Sequence, residues 1–223
     1  MLVDEAVAPD FDEQYFDPGY WRARGDLTLA SGGRGTVFFT RSAGRDWALR
    51  HYHRGGLVGR WLDDVYLWQG ADRTRAFREW RLLARLRGAG LPVPRPVAAR
   101  YRRRGPAYTA DLVTLRIPGA VPLSEALARA AAPADIWSRV GACMRRFHDS
   151  GVYHADLTAH NLLVDEAGAV HLLDFDRGRV RGDGRWKAAN LARLERSLAK
   201  IRREDPRIPR PDWSALLAAY SRP

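Results

Sequence analysis

Asp156 and Asn161 stand five residues apart in the run His154-Ala-Asp-Leu-Thr-Ala-His-Asn161, and Asp174 opens a later Asp-Phe-Asp. These oxygen donors suit phosphoryl transfer. A carboxylate can accept the proton of an attacking hydroxyl, while an amide oxygen and a second carboxylate can hold the Mg²⁺ that offsets phosphate charge. Between them lie two apolar runs, Leu162–Val164 and Val170–Leu173, joined by Asp-Glu-Ala-Gly at 165–168. That turn chemistry predicts a hairpin, and closing it returns Asp174 to the side of Asn161. Any one fragment is common, and an isolated Asp-Phe-Asp reads as a strand end with solvated carboxylates. Their order and spacing together carry the reading.

The elements that must position this run can be read upstream and downstream of it. A strand at Leu27–Ala30, the turn-rich Ser31-Gly32-Gly33-Arg34-Gly35 and a strand at Thr36–Thr40 form a flap whose glycine backbone can approach phosphates. A plain hairpin turn is the competing reading. Asp46–His53 alternates as a strand bearing Arg50, and Arg54–Arg60 follows as a basic loop. Phe77, Trp80, Leu83 and Leu86 space a helix over Arg73–Leu86 that also carries Glu79. Val97–Tyr101 and Ala107–Arg116 read as a hairpin, and Ile117–Pro122 as a hinge. Helices are expected at Ser124–Ala132 and at Ala134–Ser150, the latter closed by Gly151. Another presents Leu191, Leu194, Leu198 and Ile201 on one face, and a last one begins near Asp212. His148-Asp149 is a rival metal pair. The histidines that would complete such a site, His51, His53, His160 and His171, fall on strands and loops instead.

At 223 residues and 46% hydrophobic content the chain is globular, large enough for one domain or two lobes. The single cysteine, Cys143, excludes a disulfide framework and a thiolate metal site. No apolar run approaches the roughly 18 residues a membrane span needs, and the acidic N-terminus lacks signal-peptide character. A formal charge of +11 asks for an anionic partner, though part of it can simply be solvated surface. No nucleic-acid-binding signature accompanies it. The only lysines are Lys187 and Lys200, so every earlier cation is arginine or histidine.

The 154–176 run resembles the catalytic loop and metal-binding segment of the protein-kinase-like superfamily, with Ala155 in place of arginine and Asp176 in place of glycine. More narrowly, His-x-Asp-Leu-x-x-His-Asn with Asp-Phe-Asp-x-Gly-Arg and Arg50-His-Tyr-His-Arg-Gly-Gly-Leu57 is similar to the 3-deoxy-D-manno-octulosonic acid (Kdo) kinases of lipopolysaccharide core assembly. The resemblance covers nearly the whole chain. It implies an α+β, two-lobed protein-kinase-like fold, with a β-rich lobe at 1–118 and a mainly helical lobe at 119–223. It implies ATP and Mg²⁺, Asp156 as the catalytic base, and Asn161 and Asp174 as metal ligands. Gly32, Gly33, Arg34, Gly35 and Arg50 would hold the nucleotide phosphates. Arg50 would stand where kinases keep a lysine, and Glu79 would pair with it, unless the two are surface residues. The implied acceptor is the 4-hydroxyl of Kdo on an anionic Kdo–lipid A precursor. The reaction would take place at the cytoplasmic face of the bacterial inner membrane, with peripheral contact and no nucleic acid. No long segment closing on Ala-Pro-Glu follows Asp176, which favours a glycolipid or small acceptor over a peptide. The role of Asp176 is left open. The rivals are a kinase of another core sugar (heptose) or of protein side chains and, from another class, a catalytically dead module binding anionic membrane or nucleic acid.

Overall fold

Alternation of apolar and polar residues along Arg45–His51 shows how the first part of the chain folds. Trp47 and Leu49 turn to one side and are buried, while Ala48 and Arg50 turn to the other. The computed structural model describes residues 1–30, 37–42, 44–52 and 65–222. It divides into two units, Met1–Arg85 with Pro94–Arg116, and Leu86–Val93 with Ile117–Pro223.

The first unit contains β1 (Leu2–Val3), α1 (Pro18–Ala23), β2 (Leu27–Ala30), β3 (Val37–Ser42), β4 (Arg45–His51), β5 (Tyr66–Leu67), α2 (Arg75–Gly88, which runs on into the second unit), β6 (Pro96–Arg104) and β7 (Ala107–Leu115). The strands form one antiparallel sheet in the order β1-β6-β7-β4-β3-β2, with β5 beside the near end of β7. The N-terminal segment covers one face. Phe11 stacks on Trp47 at 5.5 Å, and the buried Phe16 and Trp21 complete the cluster. Fully burying a large apolar side chain contributes about 1.5–3 kcal/mol, which is ample reason for these aromatics to lie against the sheet.

The second unit contains β8 (Val121–Pro122), α3 (Leu123–Ala128), α4 (Ile136–Asp149), β9 (Val152–Tyr153), β10 (Leu162–Val164), β11 (Val170–Leu172), β12 (Arg179–Val180), α5 (Trp186–Glu204) and α6 (Trp213–Ser221). The predicted hairpin forms: Leu162 pairs with Leu172 and Val164 with Val170, and β8 adds a third strand. α5 buries Leu191, Leu194, Leu198 and Ile201 as their spacing requires. α4 and α6 approach so closely that a Cβ on Gly141 would collide with the Leu216 carbonyl. The expected helix over Ser124–Ala132 ends early, at Ala128. Ala130 turns left-handed (φ 53°) and Ala131 N–H closes on the Ala126 carbonyl at 2.9 Å. This stop is usually made by glycine, so an alanine there gave no warning of it. Among the described residues, no helix is long and apolar enough to cross a membrane.

Candidate functional site

His154, 2% exposed, ties together the loop that carries Asp156 and the strand end that carries Asp174. Its Nδ1 accepts the Asp156 N–H at 3.2 Å, so Nε2 holds the proton and donates it to the Leu173 carbonyl at 2.7 Å. Burial lowers the pKa of His154, in keeping with that neutral tautomer, and its ring stands edge-on to Phe175 at 5.0 Å. This packing makes His154 a structural prop for both segments. Asn190 on α5 clamps both backbone polar groups of the same residue, accepting the His154 N–H at 3.2 Å and donating to its carbonyl at 2.8 Å.

That scaffold presents Asp156 at the surface, where Oδ1 lies 3.3 Å from Arg193 Nη1 of α5. Asn161 Nδ2 donates to the Asp156 carbonyl at 2.8 Å, which turns the amide oxygen away from the loop. The Leu173 N–H donates to the Asn161 carbonyl at 2.8 Å, so the hairpin delivers Asp174 beside Asn161. Asp165 secures the turn. Its Oδ1 accepts the Ala167 and Ala169 N–H groups at 3.0 and 2.8 Å, and its Oδ2 meets His171 Nε2 at 2.8 Å. Asp174 and Arg177 are both left-handed (φ 58° and 63°), an uncommon backbone for residues other than glycine. Buried Phe175 anchors the bend between Asp174 and Asp176, while the Asp176 N–H reaches Asp174 Oδ1 at 3.4 Å.

Among the described residues, no group of three histidine, cysteine, aspartate or glutamate side chains could hold a metal by itself. Mg²⁺ commonly takes one or two protein carboxylates and completes its shell with phosphate oxygens and water. The hard-oxygen set of Asp174 and the outward-turned Asn161 amide fits it on those terms. His148 and Asp149, the rival metal pair, are parted. His148 Nδ1 lies 2.8 Å from the Tyr220 hydroxyl, its pKa lowered to about 4 by burial and by Lys187, while Asp149 pairs with Arg145 at 3.0 Å.

In the first unit, Arg50 forms an ion pair with Glu79 of α2, which is only 3% exposed. The Tyr52 hydroxyl donates to the same Glu79 oxygen at 2.5 Å, and the Arg50 guanidinium lies 4.7 Å from the Tyr52 ring centroid. Burial first, and then Glu79, push the Tyr52 pKa well up, so it remains a donor. The opposite sheet face carries a second ionic group. Asp111 joins Arg100 and His51 at 2.6 Å each, and these hydrogen bonds hold its pKa down although burial alone would raise it. Gly32, Gly33, Arg34 and Gly35 lie outside the described residues. The structure therefore brings together Asp156 with Asn161, Asn161 with Asp174, and Arg50 with Glu79. Sequence reasoning missed Tyr52, Asn190 and Arg193.

The model of the lipopolysaccharide kinase (Kdo/WaaP) family matches residues 19–220. The chain belongs to that family. Members similar to it include a 3-deoxy-D-manno-octulosonic acid kinase of Photobacterium profundum, 40% identical over 93% of this chain and 89% of the relative. Another, from Stenotrophomonas maltophilia (strain R551-3), is 42% identical over 92% of this chain and 82% of the relative. A solved structure titled WaaP in complex with acyl carrier protein superposes with a TM-score of 0.57 at 20% identity, covering 100% of this chain and 89% of that one. That likeness assigns this Kdo/WaaP family chain a protein-kinase-like α+β fold.

Proposed function

We propose that this chain transfers the γ-phosphate of ATP, with Mg²⁺, to the 4-hydroxyl of Kdo on a Kdo–lipid A precursor during lipopolysaccharide core assembly. The observation that carries the reading is the joined Asp156–Asn161–Asp174 arrangement in a chain about 40% identical, along most of its length, to proteins named Kdo kinases. Asp156, exposed and held by the His154 scaffold, accepts the proton of the sugar hydroxyl as its oxygen attacks the terminal phosphorus and the bond to ADP breaks. Asn161 and Asp174 hold the Mg²⁺. When bound, that ion offsets charge on the phosphate oxygens. Arg50, fixed by Glu79 and Tyr52, and the glycine loop hold the phosphates. Residues 177–185 are all that separates Asp176 from α5, too short a stretch for a peptide platform.

The reaction takes place at the cytoplasmic face of the bacterial inner membrane, where the charge of +11 favours peripheral contact with anionic lipid. Turnover should be compared on a Kdo–lipid A precursor, a heptosylated lipid A and a generic protein. Preference for the first, with at least about 10²-fold loss in Asp156→Asn, supports the reading. Preference for the heptose acceptor would move the substrate to another core sugar, and no turnover with Mg·ATP would leave a non-catalytic module.

A further inference from the structure

The ribbon formed by β9 and β12 carries charge that nothing in the described chain answers. Arg179 lies directly opposite Tyr153 in the register, and Arg181 follows on the same face. Both guanidinium groups sit against that one ring, at 5.5 and 4.4 Å from its centroid. Among the described residues, neither arginine forms an ion pair. The nearby acid, Asp183, is taken by Lys187 at 2.5 Å. Two like charges against one aromatic ring repel each other until an anion joins them, while the ring holds each in place by cation–π attraction.

The backbone beneath them is pinned from both ends. The Gly178 N–H bonds to the Phe175 carbonyl, and the Arg181 N–H to the Gly151 carbonyl, both at 2.7 Å. Gly151 has φ 68°, and any Cβ there would stand 2.5 Å from the Arg181 oxygen, so only glycine permits this approach. Tyr153, which supports the two guanidinium groups, lies three residues before Asp156 in the same loop-and-ribbon unit. Three residues span at most roughly 11 Å. A charged group held at the ribbon is therefore within a sugar acid's reach of the base.

We propose that Arg179 and Arg181, braced on Tyr153, form the subsite that binds an oxyanion of the acceptor glycolipid, a carboxylate or a phosphate, and so place its hydroxyl at Asp156. Guanidinium matches both anions with paired N–H donors. The proposal rests on the function proposed above, because it takes its ligand from that acceptor.

The test is Arg179→Ala/Arg181→Ala, with Tyr153→Leu as a second variant and Arg203→Ala, on exposed α5 surface, as a charge control. KM for the Kdo–lipid A precursor should rise about ten-fold or more in the double variant and less in Tyr153→Leu. ATP KM should not move, and Arg203→Ala should leave acceptor KM unchanged. Two modified acceptors identify the anion. Esterifying the Kdo carboxylate removes the wild-type advantage if that group is bound, and dephosphorylating the lipid removes it if a phosphate is. Acceptor KM unchanged in the double or the Tyr153→Leu variant would overturn the proposal. So would an equal rise in Arg203→Ala, an equal rise in ATP KM, or an advantage that survives both acceptor modifications. A loss of binding to acidic vesicles matching the acceptor effect would make this a membrane contact instead. Titrating the precursor with no nucleotide separates the two readings. Wild-type binding that the double variant loses, without turnover in either, sinks the kinase assignment and leaves the subsite standing.

Discussion

Glu79 is the buried member of its group, and Arg50 the partner whose removal exposes what that burial costs. The Arg50 side chain is 21% exposed and that of Glu79 only 2%. In Arg50→Ala a carboxylate stays in the interior with the Tyr52 hydroxyl as its remaining donor within that trio. Breaking a buried pair from one side costs about 3–5 kcal/mol, and the partial exposure of Arg50 places this case at the low end. At about 2–4 °C per kcal/mol for a chain of this size, Tm should fall by roughly 6–12 °C. Substituting all three groups together, Arg50→Met with Tyr52→Phe and Glu79→Leu, removes the uncompensated carboxylate along with both of its partners in that trio. Most of the lost stability should return. ATP KM should stay high in both variants and turnover low, and Arg50→Lys should recover part of each. Thermal melts without nucleotide and ATP kinetics at fixed Mg²⁺ separate the two effects. A triple variant as unstable as Arg50→Ala would refute the energetic argument, and normal ATP kinetics in Arg50→Ala would refute the phosphate contact.

Asp174→Asn should weaken apparent Mg²⁺ affinity along with turnover, read from Mg²⁺ titrations of initial rate; unchanged affinity removes Asp174 from the metal set. Asn190→Ala strips partners from two buried backbone groups of His154, so about 2–4 kcal/mol of stability should go, seen as a lower urea midpoint. His148 has a folded pKa of about 4 against about 6.5 when unfolded. The unfolded chain thus takes up a proton that the folded one refuses. Stability is complete above pH 6.5 and falls by on the order of 3 kcal/mol as pH drops toward 4. Urea midpoints at pH 7.5 and 4.5 should diverge more in the wild type than in His148→Gln, and equal divergence would assign the acid sensitivity elsewhere.

Local pattern made the β10–β11 hairpin and the buried face of α5 readable, because period two and period 3.6 are written directly in residue order. Alternation and helical spacing placed Arg50 on a strand and Glu79 on the helix that follows, but their pairing was legible only through the resemblance to kinases. Tyr52 in the same group was not legible, since a tyrosine beside an arginine on a strand announces nothing until a third element buries both. Asn190 shows the limit more sharply. A polar residue within an apolar helix face looks like an interruption, and only the fold reveals that it holds the backbone of a residue in another segment. The early end of α3 was hidden for a different reason, an alanine adopting a conformation that usually signals glycine.

The hairpin secured by Asp165 has a consequence for how this kind of chain can change in length. Asn161 and Asp174 are brought together by strand pairing, so the number of residues between them is not what matters. A residue added near Glu166 or Ala167, both exposed, would bulge outward and leave every cross-strand partner in place. A residue added at Leu163 would put Leu162 and Val164 on opposite faces of the strand, so that one of them leaves the interior and the pairing that sets Asp174 beside Asn161 is broken. Tolerance to insertion is thus set by position, permissive at the turn and absent a few residues away. A spacing-based search for related chains does better by letting the 165–169 interval vary and holding the two flanking runs rigid.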